Sequence, residues 1–355
     1  DPESQKEFER IQGEFRTGKH SLAFQNLQKL LEGSPQAPWT EAVEFYLVQA
    51  WTALRQYGNA LRRLDSLLLR HPESPAVPRF LMSKGQIYLA LGKQKRSSAA
   101  GDPGGGQYLQ KAKEVFLKVT KDYPNDRKVD SEALFYLGEV FSSLEEPARA
   151  KEAFRKVADT YADTPFGGKS LYALAGLKLS EPDLASAEKA FREITERYPE
   201  TRLAGKAKQK LEGIELVGSQ APQPQVKEWI GVAPPEGGIY RSKLTLLSFW
   251  AIWCPHCKRN IPKIEGLLET YATKGVSVVG VTREKEGQGA EKVREYVDSH
   301  PMDYPTAVDD DGKTSQQMGI KSIPCVVAVD SQGRIRWHGH PDYLSGKVIE
   351  SLLQP

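Results

Sequence analysis

Cysteine is scarce in this chain: only Cys254, Cys257 and Cys325 occur among its 355 residues, all in the last third. Small secreted domains that depend on disulfides carry a higher density of cysteines, spread along the chain. A scaffold held by disulfides is therefore excluded for the N-terminal two thirds. Three clustered cysteines favour a local redox or metal site instead.

Long apolar runs and a strong excess of one charge are also missing. The longest candidate, Leu244 to Trp253, is interrupted by Thr245 and Ser248 and falls short of the roughly 18 residues that span a bilayer. The formal net charge of +3 is small for this length and gives no reason to expect nucleic acid or an anionic membrane as a partner. Hydrophobic residues at 39% and charged residues at 27% are typical of soluble globular domains.

The sequence begins at Asp1, with neither an initiator methionine nor a signal peptide. The start Asp1-Pro2-Glu3-Ser4 resembles that of a mature or trimmed chain, which is compatible with the removal of a targeting segment. The cellular compartment must therefore be inferred from the chemistry of the site.

A short sequence motif recurs through the first 217 residues. In each copy a helical pattern ends in an aromatic or polar residue, which is usually followed by proline. The pairs are Ser34-Pro35, His71-Pro72, Tyr123-Pro124, Tyr161-Ala162 and Tyr198-Pro199, and their second residues are separated by 37, 52, 38 and 37 positions. The long interval contains a Ser/Ala/Gly-rich segment, Lys93 to Gly106, which we expect to be a flexible insertion. Without these 14 residues the interval is 38.

Within each repeat the apolar residues are spaced for two amphipathic helices. The pattern resembles the tetratricopeptide repeat, and the matching residues are Ala133…Tyr136-Leu137-Gly138, Ala150…Ala153-Phe154 and Tyr123-Pro124. The resemblance implies an all-α solenoid of five units, at about 4–38, 39–74, 75–126, 127–164 and 165–201. A last helix, Arg202 to Val217, would cover the open end of the stack.

A solenoid of this family exposes a concave surface that usually binds a peptide or docks a protein. We expect the repeats to dock a partner. The alternative is a spacer or dimerisation arm without a peptide ligand.

The pattern changes after a Pro/Gln-rich linker at 218–225. Apolar, β-branched segments then alternate with amphipathic ones, which predicts a central sheet covered by helices. The predicted strands are Leu244 to Trp250, Gly275 to Val281, Cys325 to Val329 and Arg334 to His338. The predicted helices are Cys254 to Thr273, Ala290 to Ser299 and about Tyr343 to Leu353.

The run Trp253-Cys254-Pro255-His256-Cys257 places a CxxC motif where a strand turns into a helix. Cys254 falls at the helix N-terminus, where free N–H groups and the helix dipole favour a thiolate. Cys257 lies one turn later, close enough to form a small disulfide. We therefore expect Cys254 to attack a substrate disulfide and Cys257 to resolve the mixed disulfide.

The region from about Trp229 to Leu353 resembles thioredoxin-fold proteins of the TlpA/ResA type. The matching residues are Phe249-Trp250-Ala251, Trp253-Cys254, Cys257, Pro262, Gly319, Ile323-Pro324 and Asp330…Gly333. The resemblance implies an α/β thioredoxin fold, a cis peptide before Pro324 and disulfide exchange with proteins without a cofactor. It also implies placement outside the cytoplasm, in the periplasm or tethered to a membrane.

The alternative for a lone CxxC is half of a metal site. A zinc site would need two further ligands, and the only other cluster, His338-Gly339-His340, has no recognised spacing to the cysteines. Redox exchange is favoured over metal binding, and no metal is expected.

Two departures from the family weaken the expected proton relay. Asn260 occupies the place of a glutamate often found three residues after the second cysteine, and Ser248 replaces the buried aspartate of thioredoxin. Water or His256 would have to transfer the proton in place of these acids. The Pro255-His256 pair resembles that of DsbA-type oxidants and predicts a reduction potential above the roughly −270 mV of thioredoxin.

Several residues near the motif are expected to support catalysis or bind substrate. Pro255, His256 and Pro324 are assigned supporting roles, and Trp253 and Ile323 are assigned to the substrate-facing surface. Cys325 is either an auxiliary thiol or a buried small hydrophobic residue, and strand alternation favours the second interpretation.

The sequence thus predicts repeats at 1–217, a linker at 218–225 and a thioredoxin-like domain at 226–355. The predicted function is thiol–disulfide exchange with protein substrates and a redox partner protein. The alternatives are an assembly protein whose thioredoxin-like domain senses redox state and, less favoured, a thiol peroxidase.

Overall fold

The computed structural model describes residues 2–33, 37–96, 104–234, 236–284 and 289–354. The chain divides into two compact units, Asp1–Gly167 and Gly168–Pro355. The predicted turn at Ser34-Pro35 lies outside the described residues.

The first unit is helical. Its helices are α1 (Pro2–Arg16), α2 (His20–Gly33), α3 (Thr40–Ala53), α4 (Tyr57–Arg70), α5 (Val77–Arg96), α6 (Gly104–Asp122), α7 (Arg127–Ser143) and α8 (Pro147–Thr160). Each helix packs against the next one in the chain, which is the arrangement of a repeat solenoid. The fold predicted for this region is confirmed.

Glycine at one position of the repeat allows the two helices of a pair to pack closely. A Cβ added at Gly85 would lie 2.6 Å from Phe116 Cε1, and one added at Gly138 would lie 2.5 Å from Phe154 Cε1. Both phenylalanine side chains are fully buried. The aromatic ring of the second helix therefore occupies the space that a side chain on the first helix would fill.

The prediction of a flexible insertion at Lys93 to Gly106 is wrong at both ends of this segment, where the chain is helical. Residues 93–96 continue α5, and the glycines at 104–106 begin α6; residues 97–103 lie outside the described part. The reason is packing: a Cβ added at Gly92 would lie 2.7 Å from Leu109 Cγ, and one added at Gly105 would lie 2.9 Å from Arg96 Cγ. These glycines let two helices approach each other and do not form a linker.

The second unit combines the last helices of the solenoid with a six-stranded sheet. Its helices are α9 (Pro165–Leu179, which begins in the first unit), α10 (Leu184–Arg197), α11 (Arg202–Glu215), α12 (Pro255–Tyr271), α13 (Ala290–Ser299), α14 (Lys313–Gln317) and α15 (Gly346–Leu352). Its strands are β1 (Val226–Ile230), β2 (Leu244–Trp250), β3 (Val276–Thr282), β4 (Thr306–Asp309), β5 (Cys325–Asp330) and β6 (Ile335–Gly339).

The strand order is β1-β4-β3-β2-β5-β6. Strands β2, β3 and β4 are parallel, and β1, β5 and β6 join them in antiparallel pairs. This mixed α/β architecture confirms the predicted fold. The strands β1 and β4 and the short helix α14 were not predicted. The last helix begins at Gly346 and not at Tyr343, because a 3₁₀ turn at Pro341–Tyr343 precedes it.

The segment predicted as a linker is tied to the sheet at its N-terminal end. Gly218 N donates to Ile335 O at 2.7 Å, Ile335 N donates to Ser219 O at 2.9 Å, and Ala221 N donates to Gly333 O at 2.7 Å. Helix α11 also packs on β6. The compact unit that contains these contacts begins at Gly168, and the domain bounds at 217 and 226 stay a prediction.

Candidate active site

The CxxC motif lies where β2 leads into α12. Cys254 is the N-cap of α12, and its Sγ accepts a hydrogen bond from Cys257 N at 3.1 Å. Pro255 occupies the first turn, where a backbone N–H is not needed. The structure joins Cys254 and Cys257 in a disulfide, and both side chains are buried, with 6% and 1% exposed.

This placement has a chemical consequence for the first cysteine. After reduction, a thiolate on Cys254 would face the N-terminal N–H groups of α12, and the positive end of the helix dipole favours that charge. The more deeply buried Cys257 is in position to attack the Cys254 sulfur. The arrangement can therefore accept or release two electrons as a dithiol–disulfide couple.

The loop that carries Pro324 lies beside the motif. The Ile323–Pro324 peptide is cis, as the resemblance implied. Cys325, the first residue of β5, pairs with Phe249 near the end of β2. Because β2 leads directly to Cys254, this register brings the loop that carries Pro324 next to the disulfide. Ile323 is half-buried and packs against the core beneath the sheet.

The two tryptophans occupy different environments. Trp250 is 3% exposed, and its ring lies 5.7 Å from that of Tyr296. Trp253 is half-buried and lines a surface cavity of about 540 Å³ together with Arg283, Asp309 and other polar residues. Trp253 thus borders a surface cavity, whereas Trp250 belongs to the core.

The supporting polar groups lie at the exposed start of α12. Arg259 Nη2 lies 2.5 Å from His256 Nδ1; because guanidinium only donates, the imidazole nitrogen accepts. Asn260 Nδ2 donates to His256 O at 3.0 Å. Asn260 replaces the family's acid with a group that cannot take up a proton. Ser248 is buried on β2.

His340 was not assigned to the redox site by the sequence. Burial lowers its pKa, and the positive charges of Lys210 and Lys263 lower it further, against the opposing effect of Asp342. The imidazole of His340 interacts electrostatically with that of His256. In the sequence, the pair of histidines on either side of Gly339 is the only feature that draws attention to His340, and there it suggests metal ligands and not a redox role.

Cys325 lies in the hydrophobic cluster on one face of the sheet, with Phe249, Val327 and Val329. Burial raises the pKa of its thiol to about 11. Its Sγ lies 3.9 Å from His338 Nδ1. An auxiliary role for Cys325 stays a prediction.

The described part of the chain contains no group of three His, Cys, Asp or Glu side chains arranged to hold a metal ion. Among the helices described, none has both the length and the apolar character required to cross a membrane.

Three protein-family models match the chain. The AhpC/TSA family model matches residues 217–338, a tetratricopeptide repeat model matches 132–164, and a model described as an outer membrane lipoprotein matches 1–145. The chain joins tetratricopeptide repeats to a thioredoxin-like domain. The sequence had predicted both parts, and this prediction is confirmed.

Curated relatives match the thioredoxin-like domain. Sporulation thiol-disulfide oxidoreductase A of Bacillus subtilis (strain 168) is 24% identical over 95 residues, 27% of this chain and 58% of that protein. Thioredoxin-like protein YneN of the same organism is 29% identical over 113 residues, 32% of this chain and 65% of that protein. Thiol-disulfide oxidoreductase ResA of Oceanobacillus iheyensis is 28% identical over 123 residues, 34% of this chain and 62% of that protein. The chain spans less than two thirds of the length of each of these relatives.

Solved structures resemble the two parts separately. A tetratricopeptide repeat protein of Thermus thermophilus has a TM-score of 0.45 at 21% identity and covers 58% of this chain and 97% of its own. StoA of Bacillus subtilis has a TM-score of 0.29 at 20% identity and covers 37% of this chain and all of its own (100%).

Proposed function

We propose that this protein is a thiol–disulfide oxidoreductase that exchanges disulfides with protein substrates through Cys254 and Cys257. The observation that best supports this proposal is the position of Cys254. It is the N-cap of α12, it forms a disulfide with Cys257, and it lies next to the cis peptide before Pro324. Thiol-disulfide oxidoreductases among the relatives support the reaction class.

In the reducing direction, the Cys254 thiolate attacks one sulfur of a substrate disulfide. The substrate disulfide breaks, a mixed disulfide forms, and the second substrate sulfur leaves as a thiolate that takes up a proton. Cys257 then loses its proton and attacks Cys254 Sγ, which releases the first substrate sulfur as a thiolate. Two electrons pass to the substrate, and the Cys254–Cys257 disulfide remains. The oxidising direction is the reverse.

The cis-proline loop and Trp253 form the substrate-facing surface in this proposal. Extended peptides bind by main-chain hydrogen bonds to an exposed backbone edge, and Ile323 and Pro324 offer such a backbone beside the disulfide. Trp253 contributes an aromatic wall at the cavity it lines. Pro255 fixes the first turn of α12, and His256 is the nearest exposed imidazole to carry a proton.

The repeats would dock a substrate protein or the redox partner. Two observations support a partner surface: the match of the tetratricopeptide repeat model and a groove of about 520 Å³ in the first unit. The groove is lined by α3, α5 and α7, with Gln49, Gln86 and Glu132 among its residues. The natural partner would be recognised in this groove.

We place the protein outside the cytoplasm. The match of residues 1–145 to an outer membrane lipoprotein model supports this assignment.

A trapping experiment tests the activity. Reduced Cys257→Ser protein should accumulate a mixed disulfide with a protein that contains disulfides, such as insulin. Cys254→Ser protein should form none. Wild-type protein should reduce insulin over many turnovers in the presence of dithiothreitol. One oxidation event without turnover would support the redox-sensor alternative, and consumption of hydrogen peroxide would support the peroxidase alternative.

The direction of the reaction is tested by the reduction potential of the Cys254–Cys257 pair, measured by equilibration with glutathione. The Pro255-His256 pair predicts a value above about −270 mV, the potential of thioredoxin. A value near or above about −180 mV would favour an oxidase or isomerase. A value at or below that of thioredoxin would show that the dipeptide argument is wrong.

A further inference from the structure

The imidazole of His338 contacts both ends of the loop that carries Pro324. Its Nε2 lies 3.1 Å from Met318 O, and its Nδ1 lies 3.9 Å from Cys325 Sγ. Met318 directly precedes this loop, residues 319–324, and Cys325 directly follows it. One buried side chain on β6, 8% exposed, therefore connects the two ends of a substrate-facing loop.

The hydrogen-bonding capacities of these groups decide the tautomer. The Met318 carbonyl can only accept, so Nε2 of His338 carries the proton and Nδ1 has a free lone pair. The Cys325 thiol can donate to that lone pair or to Val326 O, also at 3.9 Å. Burial lowers the pKa of His338 to about 4 and raises that of Cys325 to about 11. Both groups are therefore neutral at physiological pH.

Helix α11, the helix that closes the repeat stack, holds the imidazole from its other side. A Cβ added at Gly213 would lie 2.3 Å from His338 Nδ1 and 2.8 Å from Cε1. Glycine inside a helix costs up to about 1 kcal/mol relative to alanine. Here the ring occupies the space of the missing side chain, so that any larger residue would push the ring away.

The same helix end also touches the loop directly. Gly319 has a φ of +66°, and a Cβ placed there would lie 2.8 Å from Leu216 Cδ1, just after the end of α11. Lys321 Nζ, within the loop, lies 3.7 Å from Glu212 Oε2 of α11. Helix α11 thus contacts the loop at two points and the His338 ring at a third.

We propose that His338 is a positioning residue of the redox site and that α11 sets its position, so that α11 holds the cis-proline loop in its substrate-binding geometry. The contact of Gly213 with the ring, and the two contacts of the ring with the loop ends, form a continuous connection. This inference rests on the proposed function, since it assigns the loop to substrate binding.

The consequence is specific to substrate binding. A peptide held by main-chain hydrogen bonds to this loop binds less tightly when the loop is displaced. The disulfide itself is held by α12 and β2, which α11 does not fix through these contacts. A change at Gly213 should therefore alter the binding of a peptide disulfide and leave the potential of the Cys254–Cys257 couple in place.

Gly213→Ala in the full chain tests the inference, with Gly205→Ala as the matched control. Gly205 lies in the same helix, and a Cβ added there meets nothing within 4 Å. For a peptide disulfide substrate, Gly213→Ala should raise KM by about tenfold or more, equivalent to about 1.4 kcal/mol of binding free energy, with kcat and the equilibrium constant for exchange with glutathione within about twofold of wild type. Gly205→Ala should match the wild type. In a His338→Ala background, the added methyl group finds space, and Gly213→Ala should have little further effect.

A purely structural role would behave differently. It would lower the folded fraction, and so the apparent kcat, at an unchanged KM. Equal KM values for Gly213→Ala and Gly205→Ala, with both proteins folded by circular dichroism, would overturn the inference.

If the wild-type protein shows no thiol–disulfide exchange, amide hydrogen exchange still tests the inference. Amides of residues 319–323 and 325 should exchange faster in Gly213→Ala than in Gly205→Ala. Lack of turnover by the wild type would reject the proposed function alone, and unchanged exchange in this loop would reject the positioning role.

Discussion

The hydroxyl of Tyr161 donates a hydrogen bond to the carboxylate of Asp130 at the start of the preceding helix pair. Both residues are buried, with 7% and 5% of their surface exposed. The bond raises the pKa of Tyr161 to about 12, with burial adding to the effect. The tyrosine that ends this repeat therefore donates a hydrogen bond to a buried acid of the same repeat.

Tyr161→Phe should lower the free energy of unfolding of the first unit by about 1–3 kcal/mol, because it leaves the Asp130 carboxylate without its donor. Urea denaturation measures the change. Tyr123→Phe, half-buried at the corresponding position one repeat earlier, is the control and should change stability by less than about 0.5 kcal/mol. In an Asp130→Ala background, which removes the acceptor, the loss should shrink. An unchanged loss there would assign it to packing.

Gly138→Ala should destabilise the same unit by about 1–3 kcal/mol, because the new methyl group overlaps the Phe154 ring. Gly13→Ala is the control: it lies in α1, where an added Cβ meets nothing within 4 Å, and it should be neutral or stabilise by up to about 1 kcal/mol. Thermal unfolding monitored by circular dichroism compares the two. If Phe154→Leu does not reduce the effect of Gly138→Ala, the overlap is not its cause.

Cys325 should react far more slowly than the active-site pair in the fully reduced protein. Its thiol pKa of about 11, against an ordinary value of 9.0, lowers the thiolate fraction near pH 8 by about 100-fold, and burial adds a barrier of access. Titration with an aromatic disulfide reagent should show two fast equivalents from Cys254 and Cys257 and a third only after denaturation. In Cys325→Ser protein the third should be lost. A fast third equivalent in the native wild type would instead support an auxiliary thiol.

His338 should make the stability of the second unit depend on pH. Its folded pKa of about 4 lies below the ordinary 6.5 because of burial, with Lys210 adding to the effect. The unfolded chain therefore binds the proton more readily, so that this stability is present above about pH 6.5 and is lost as pH falls toward 4. A shift of this size corresponds to at most about 3 kcal/mol.

Denaturation of the wild type and His338→Gln protein between pH 4 and 7 measures this contribution as a difference, because the carboxylates contribute equally to both proteins. The slope between about pH 4.5 and 6.5 should be shallower in the variant. Equal slopes would show that His338 does not titrate in this range on unfolding.

Much of this architecture follows from the sequence. Helical periodicity and the recurring Tyr-Pro ending predicted the solenoid, because each helix buries one face against its neighbours at a period of 3.6 residues. The strand at Leu244–Trp250 and the helix at Ala290–Ser299 were predicted with the observed bounds. The strands β1 and β4 were missed because both are short and β1 is only partly buried, so neither gives a strong periodic signal.

The glycines were the least predictable residues. Gly104 to Gly106 were interpreted as a flexible segment, yet they begin α6, where Gly105 packs against Arg96 and Gly92. A glycine that makes the backbone flexible and a glycine that leaves space for a neighbouring side chain look the same in the sequence. Only the position of the neighbour distinguishes them.

The sequence by itself determined the disulfide motif, the helix that starts behind it and the proline before β5, because these depend on residue type and on separations of a few positions. The tertiary structure alone decided that His338 would link Met318 to Cys325 and that Gly213 of the repeat array would pack against its ring. The contact between Gly213 and His338 joins residues more than 100 positions apart. It depends on how α11 packs on β6, which no local pattern encodes.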